Sequence, residues 1–163
     1  IFSVSAGGGE PRRLTSDPGI ETGGSFSPDG KKIVFESDRS GTQQVYVMNA
    51  DGGEQQRISF GGGQHATPEW SPRGDLIAFT KMGGGQFRIG VMTPTGGNER
   101  LLTNAWQDEA PTWAPNGRVI QFFRTAKTSG KTAVYQVDVT GARERKIVTP
   151  VEGSDPAWGN LLP

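Results

Sequence analysis

The hydrophobic residues of this chain fall in short runs separated by glycine-rich segments. Two of the runs are continuous, at residues 33–35 and 76–79, and a third, at residues 119–122, is interrupted only by Gln121. Such a run is typical of a strand that is buried on both faces. Other segments, such as residues 1–5, alternate apolar and polar side chains, which predicts a half-buried strand. Because Gly or Pro interrupts the chain at short intervals and nearly every window of helical length contains one, the pattern predicts an all-β fold.

An aromatic-x-Pro-x-Gly cluster recurs along the chain. Phe26, Trp70 and Trp113 each begin one at an interval of about 44 residues, and Trp158 begins a truncated copy. A strand–glycine turn–strand unit follows each apolar run, as in residues 45–59. A period of about 40–45 residues built from four short strands is typical of a β-propeller blade. We therefore predict that the first three aromatic residues are buried between blades and that Trp158 is less buried.

The repeat divides the chain into about 3.5 four-stranded antiparallel blades. Residues 1–24 are predicted to hold the outer strands of an incomplete blade. Residues 25–68, 69–111 and 112–156 are predicted to form one blade each, and residues 157–163 the start of the next. Because propellers close with about four to eight blades, we expect an open arc that is a piece of a longer chain. Sheet faces left uncovered at its two ends are expected to drive association.

Charge and composition exclude several kinds of partner. The 163 residues hold 17 basic and 17 acidic side chains, so no basic field is predicted that would attract nucleic acid. No apolar run approaches the roughly 20 residues that span a bilayer, and cysteine is absent from the sequence. Residues 129–132 resemble the tail of a phosphate-binding loop, and residues 61–66 resemble a dinucleotide fingerprint. Neither segment leads into a helix, so no cofactor is predicted.

Few residues are candidates for chemistry. His65 is the only histidine, which argues against a histidine-built zinc site or a catalytic triad, and we interpret it as a loop residue. Carboxylates recur just before each innermost strand: Glu21, Asp108, Glu109, Glu152 and Asp155. They are candidates for binding a cation at a channel mouth, for capping turns or for contacting a protein partner. No catalytic residue and no metal site is assigned.

The repeat resembles that of the TolB-type propeller family over essentially the whole chain. The stretches that carry the resemblance are SPDGKKIVF at residues 27–35, VYVMNADGG at residues 45–53 and DEAPTWAPNG at residues 108–117. The ending at residues 155–162, DPAWGNLL, is similar to the C-terminus of the family's propeller. The resemblance therefore implies the C-terminal half of a six-bladed propeller.

The resemblance also implies a function. Members of the family are non-catalytic periplasmic components of the Tol-Pal cell-envelope system. Their propeller binds the peptidoglycan-associated lipoprotein Pal over the channel mouth. An N-terminal α/β domain precedes the propeller, and its extension contacts TolA. The resemblance covers part of the propeller and not that domain, so no TolA contact is expected, and the Pal-docking surface is expected to be incomplete.

Two other classes of protein remain possible from the repeat. One is the gating propeller of a prolyl-oligopeptidase-type serine peptidase that lacks its hydrolase domain, and the other is a metal-dependent lactonase-like propeller. A scaffold alone does not dictate function. The C-terminal match favours the TolB-type family, because a peptidase propeller continues into its hydrolase domain.

In the TolB-type family, loops that lead from one blade to the next gather at the mouth of the channel that binds Pal. We predict a protein-binding rim from these loops, with Trp106 as a candidate anchor because an exposed aromatic residue is a common hot spot. The predicted rim comprises Glu21, Thr22, Gln64, His65, Thr67, Trp106, Gln107, Asp108, Glu109, Ser154 and Asp155.

Overall fold

The computed structural model describes residues 1–158, and the secondary structure of these residues consists of β-strands joined by turns. The strands are β1 (Phe2–Ser3), β2 (Arg12–Arg13), β3 (Glu21–Phe26), β4 (Lys32–Ser37), β5 (Gln44–Asn49), β6 (Gln56–Arg57), β7 (Gln64–Trp70), β8 (Ile77–Gly83), β9 (Gln86–Met92), β10 (Arg100–Leu101), β11 (Asp108–Trp113), β12 (Val119–Thr125), β13 (Thr132–Asp138) and β14 (Arg145–Lys146). The predicted all-β class is confirmed.

The strands form antiparallel sheets in which each strand pairs with the next one in sequence. A two-stranded sheet, β1–β2, precedes three four-stranded sheets, β3–β6, β7–β10 and β11–β14. The innermost strands pack side by side, β3 against β7 and β7 against β11, so the sheets are arranged as the blades of an open propeller. The blade limits at residues 24, 68, 111 and 156 stay a prediction.

The hydrophobic core lies between neighbouring sheets. One cluster joins Val34, Val45 and Val47 of the first four-stranded sheet to residues of the second that include Trp70 and Phe79. A second cluster joins the second sheet to the third around Trp113, which is 4% exposed. The predicted burial of Trp70 and Trp113 between blades is therefore confirmed.

The same prediction is wrong for Phe26, which is 55% exposed. Trp70 and Trp113 each pack against the complete sheet that precedes their own. Phe26 is preceded only by the two short strands β1 and β2, which supply no inner strand to cover its ring. Trp158 is 39% exposed, as predicted; residues 159–163 of the predicted next blade lie outside the described residues.

Glycine turns hold each sheet close to the one before it. Gly96, in the β9–β10 turn, has φ +83°, and a Cβ on this residue would overlap the carbonyl oxygen of Ile58 in the preceding sheet. Gly52 is in the same position one repeat earlier, where a Cβ would lie 2.5 Å from the carbonyl oxygen of Leu14. Both the left-handed backbone and the close approach require glycine.

Candidate functional site

The innermost strands line a central cleft of about 480 Å³. Each strand carries a bulge, because its register shifts between Thr22 and Ser25 in β3, between Ala66 and Glu69 in β7, and between Glu109 and Thr112 in β11. The bulged residues have left-handed backbones: Gly23 (φ +69°), Thr67 (+48°), Ala110 (+52°) and, in the segment after β14, Asp155 (+46°). All four line the cleft, so one backbone feature repeats around it.

The bulges are joined to the neighbouring sheet by hydrogen bonds. The Thr67 N–H donates to Oε2 of Glu36 at 2.7 Å, and the hydroxyl of Thr22 donates to the other oxygen of the same carboxylate. Glu36 is only 7% exposed. Its buried carboxylate therefore ties β3 and β7 together where a left-handed threonine, a sparsely populated conformation, would otherwise be costly.

A buried ion pair lies at the start of β11. The Asp108 side chain is fully buried, and its two oxygens accept from Nε and Nη2 of Arg124 at 2.6 and 2.9 Å. Nη1 of Arg124 donates to Glu144 at 2.7 Å, and the guanidinium lies 4.4 Å from the Tyr135 ring centroid. Burial alone would lower the pKa of Arg124, but its hydrogen bonds with Asp108 and Glu144 outweigh burial and raise the pKa. The arginine is therefore fixed and charged.

The first four-stranded sheet repeats this arrangement. The side chain of Glu21 is 6% exposed and forms an ion pair with Arg39. The Arg39 guanidinium lies 4.9 Å from the ring centroid of Tyr46 and also donates to Gln55 at 2.6 Å. The first and third four-stranded sheets thus share the same cluster. It consists of an acid on the inner strand, an arginine, a tyrosine, and a polar residue just before the outer strand.

The second four-stranded sheet has a histidine in the place of the inner-strand acid. His65 is fully buried, with Nε2 3.2 Å from Oε2 of Glu99, and Lys81 donates to the other oxygen of Glu99 at 2.5 Å. The imidazole packs on Phe79 with their ring centroids 5.1 Å apart. Burial lowers the pKa of His65, an effect that the neighbouring Glu99 opposes. The cluster joins strands of one sheet, with the imidazole buried and Glu99 and Lys81 partly exposed.

The structure separates the eleven predicted rim residues by exposure. Thr22, Gln64, Thr67, Trp106, Ser154 and Asp155 are exposed, Glu21, Gln107 and Glu109 are partly buried, and His65 and Asp108 are buried. The interpretation of His65 as a loop residue is wrong: it lies in β7 and pairs with Lys81 of β8, and likewise Asp108 pairs with Arg124. Asp108 is held by its ion pair with Arg124, and His65 contacts Glu99, which is itself paired with Lys81.

The rim residues do not converge on one pocket. Thr67 and Asp155 line the central cleft, whereas Trp106 and Gln107 line a separate shallow cleft beside Phe87. Trp106 is 40% exposed, and Nζ of Lys127 lies 4.4 Å from its ring centroid. The sequence interpretation missed Lys127 and the two partly buried arginines, Arg39 and Arg124. The sequence feature that could have identified these residues is a basic residue in the loop or strand end that follows an apolar run.

Within residues 1–158, no three acidic or histidine side chains converge in a way that could hold a metal ion. Of the carboxylates considered for a cation, Glu21 and Asp108 are paired with arginines. Across the same residues, no helix has the length and hydropathy needed to cross a membrane.

Comparison with known proteins gives consistent results. A family model described as the TolB beta propeller domain matches residues 1–162. The Tol-Pal system protein TolB 1 of Novosphingobium aromaticivorans is 69% identical over 64 residues, which are 39% of this chain and 14% of that protein. The chain thus aligns with only a small part of this relative's length.

Solved structures extend the similarity. The crystal structure of TolB from Acinetobacter baumannii superposes with a TM-score of 0.80 at 26% identity, over 91% of this chain and 37% of that one. Puromycin hydrolase superposes with a TM-score of 0.71 at 19% identity, over 93% of this chain and 24% of that one. The second likeness concerns the propeller fold alone.

Proposed function

The chain belongs to the TolB β-propeller family, and from that membership we propose that it is a non-catalytic, periplasmic protein-binding propeller of the Tol-Pal system. The observation that carries the proposal is the family match over residues 1–162, together with a relative that is named as a Tol-Pal system protein. The proposed partner is a Pal-like lipoprotein docked at the mouth of the central cleft.

The exposed rim residues are the proposed contacts. Trp106 offers the largest aromatic surface among them, and Lys127 holds its ring in place by a cation–π contact at 4.4 Å. Gln64 and Thr67, at the start of β7, add polar groups beside the cleft. An ordered aromatic residue among polar neighbours matches the usual composition of a binding hot spot.

The buried members of the predicted rim have a supporting role in this proposal. Asp108 and His65 fix the first residues of β11 and β7 through their ion-pair clusters. Gln64 and Thr67, the exposed rim residues near His65, are thereby held on β7 rather than on a mobile loop. A rigid rim binds with less loss of conformational entropy than a flexible one.

The test is the affinity of the chain for the soluble domain of Pal, measured by isothermal titration calorimetry. Trp106→Ala should weaken binding about thirtyfold, the usual effect of losing a hot spot worth about 2 kcal/mol. Lys31→Ala provides the control, because Lys31 follows the β3–β4 turn at the opposite end of the sheet and is exposed. Its affinity should match that of the parent.

Two results would contradict the proposal. One is unchanged affinity in Trp106→Ala and in the double variant Gln64→Ala, Thr67→Ala. The other is the absence of Pal binding both by this chain and by a longer chain that includes a complete propeller.

A further inference from the structure

A cleft with a volume of about 870 Å³ lies within the third four-stranded sheet. It separates the hairpin tip between β12 and β13 from the segment that follows β14. Both walls come from residues 124–152, so the cleft does not depend on a neighbouring sheet. We propose that it is a binding site for an oxyanion, that is, a ligand carrying a carboxylate or phosphate group.

The cleft exists because the third sheet departs from the repeat. In the first sheet, His65 N donates to the carbonyl oxygen of Gln43 at 2.9 Å, which joins the hairpin tip directly to the following connector. In the second, Phe87 N donates to the carbonyl oxygen of Trp106 at 3.1 Å. In the third sheet, the equivalent Thr132 N donates to a side chain instead, to Oε2 of Glu152 at 3.3 Å. The Glu152 side chain therefore bridges the hairpin tip and the connector, which backbone hydrogen bonds join directly in the first two sheets.

Glu152 shows how an oxyanion is held there. One carboxylate oxygen accepts from the Thr132 N–H, and the other lies 3.6 Å from Nζ of Lys131. This backbone donor and cation are typical partners for a carboxylate or phosphate group. Both side chains of the ion pair are more than half exposed, 72% for Lys131 and 54% for Glu152. Because exposed ion pairs are weak, an incoming oxyanion can displace the resident carboxylate.

The rest of the lining suits an anionic ligand. Lys131 and Lys146 line the cleft beside the carboxylate of Glu152, and Arg124, which also lines it, is already paired with Asp108 and Glu144. Arg124 is fixed by Asp108 and stacks on Tyr135, which gives one wall a rigid aromatic base. The hairpin tip is also ordered, because Ala126 N donates to Lys131 O and Gly130 N donates to Ala126 O, both at 2.9 Å. The donors are thus preorganised before a ligand arrives.

The test is titration of the chain with citrate and, separately, with pyrophosphate, followed by the amide signals of the hairpin tip in ¹⁵N NMR spectra. At about 0.1 M salt, charges farther than about 10 Å away are largely screened. We expect saturable shifts of the Thr132 amide with at least one of the two probes. The probe that binds more tightly identifies the carboxylate or the phosphate as the preferred group.

Variants separate the proposed site from general charge effects. Lys131→Ala removes a charge-assisted contact and should weaken binding about tenfold. Glu152→Gln removes the resident competitor and should strengthen binding about threefold or more. Asp75→Asn is the matched control, since it removes one charge from another exposed ion pair, that with Arg73, and should leave the affinity unchanged.

Three results would overturn the proposal. The first is no saturable shift with either probe, in the parent and in Glu152→Gln. The second is equal affinity of the parent and Lys131→Ala, with circular dichroism confirming that the variant is folded. The third is an equal gain of affinity in Glu152→Gln and Asp75→Asn, which would indicate a nonspecific charge effect. These results concern the hairpin tip alone and leave the Pal-docking test independent.

Discussion

The three repeated aromatic residues provide an internal test of how the sheets hold together. Trp113 is 4% exposed and packs into the cluster that joins the second and third sheets. Its Nε1–H donates to the carbonyl oxygen of Glu69 at 3.0 Å, and its backbone N–H donates to the Glu69 carboxylate at 3.2 Å. Phe26 is in the equivalent position of the first sheet but is 55% exposed. The same truncation should therefore have very different effects.

Trp113→Ala should lower the free energy of unfolding by about 3–5 kcal/mol, the usual effect of removing a buried tryptophan. A fully buried Phe side chain contributes roughly 1.5–3 kcal/mol, so Phe26→Ala should cost only about 1 kcal/mol. Trp113→Phe keeps a buried aromatic ring but removes the indole donor and some packed volume, so a loss of about 1–2 kcal/mol is expected. The measurement is urea unfolding followed by circular dichroism.

The comparison depends on unfolding slopes that are equal within error among the three variants, because a changed slope indicates a changed unfolded or native state. Equal losses for Trp113→Ala and Phe26→Ala would refute the assignment of the stabilising contacts to the junction between complete sheets. A loss below about 1 kcal/mol for Trp113→Ala would refute it as well, since such a value is typical of exposed positions.

Two further predictions concern single positions. Burial lowers the pKa of His65 from its usual value of 6.5. Because the folded state disfavours protonation of His65, the protein loses stability as the pH falls. The urea midpoint should therefore drop between about pH 7 and pH 5. Because His65 is the only histidine, His65→Gln should flatten this drop, and an equally steep drop in the variant would contradict the reasoning. Gly96→Ala should cost more than about 2 kcal/mol, since it adds a clash with Ile58 to an unfavourable backbone. Gly30→Ala is the control and should cost only about 1 kcal/mol, because Gly30 also has a positive φ but has open space around it. Equal thermal unfolding temperatures of the two variants would refute the close approach of Gly96 to Ile58.

The architecture could be predicted from the sequence because each repeat encodes it locally. The glycine of each aromatic-x-Pro-x-Gly cluster adopts a positive φ, as Gly30 and Gly74 do. The apolar run that follows forms a buried strand, as around Phe35 and Phe79. What the repeat does not encode is the neighbour of each sheet. The predicted burial of Phe26 is wrong for this reason, because it requires an inner strand that β1 and β2 do not supply.

The placement and exposure of the rim residues could be predicted only in part. Its residues were placed in loops because they precede the apolar runs, yet His65 and Asp108 lie in strands and are buried. The missing information is the antiparallel register, which sets His65 opposite Lys81 and Asp108 opposite Arg124. Those partners are separated in sequence by a whole turn and strand, so charge pattern alone does not pair them. The exposure of Trp106, which lies in the connector before β11, does not depend on this strand register.

The two proposed binding features occupy the same place in successive repeats. Trp106 belongs to the connector that meets the hairpin tip of the second sheet at Phe87, and Glu152 belongs to the connector that meets the tip of the third at Thr132. The first sheet closes this place with a backbone contact, in which His65 N donates to the carbonyl oxygen of Gln43. Since Trp106 and Glu152 are exposed at this link, outside the core that joins the sheets, side chains at these two positions can change without loss of core packing. A repeat scaffold can therefore carry an aromatic anchor in one sheet and an oxyanion site in the next.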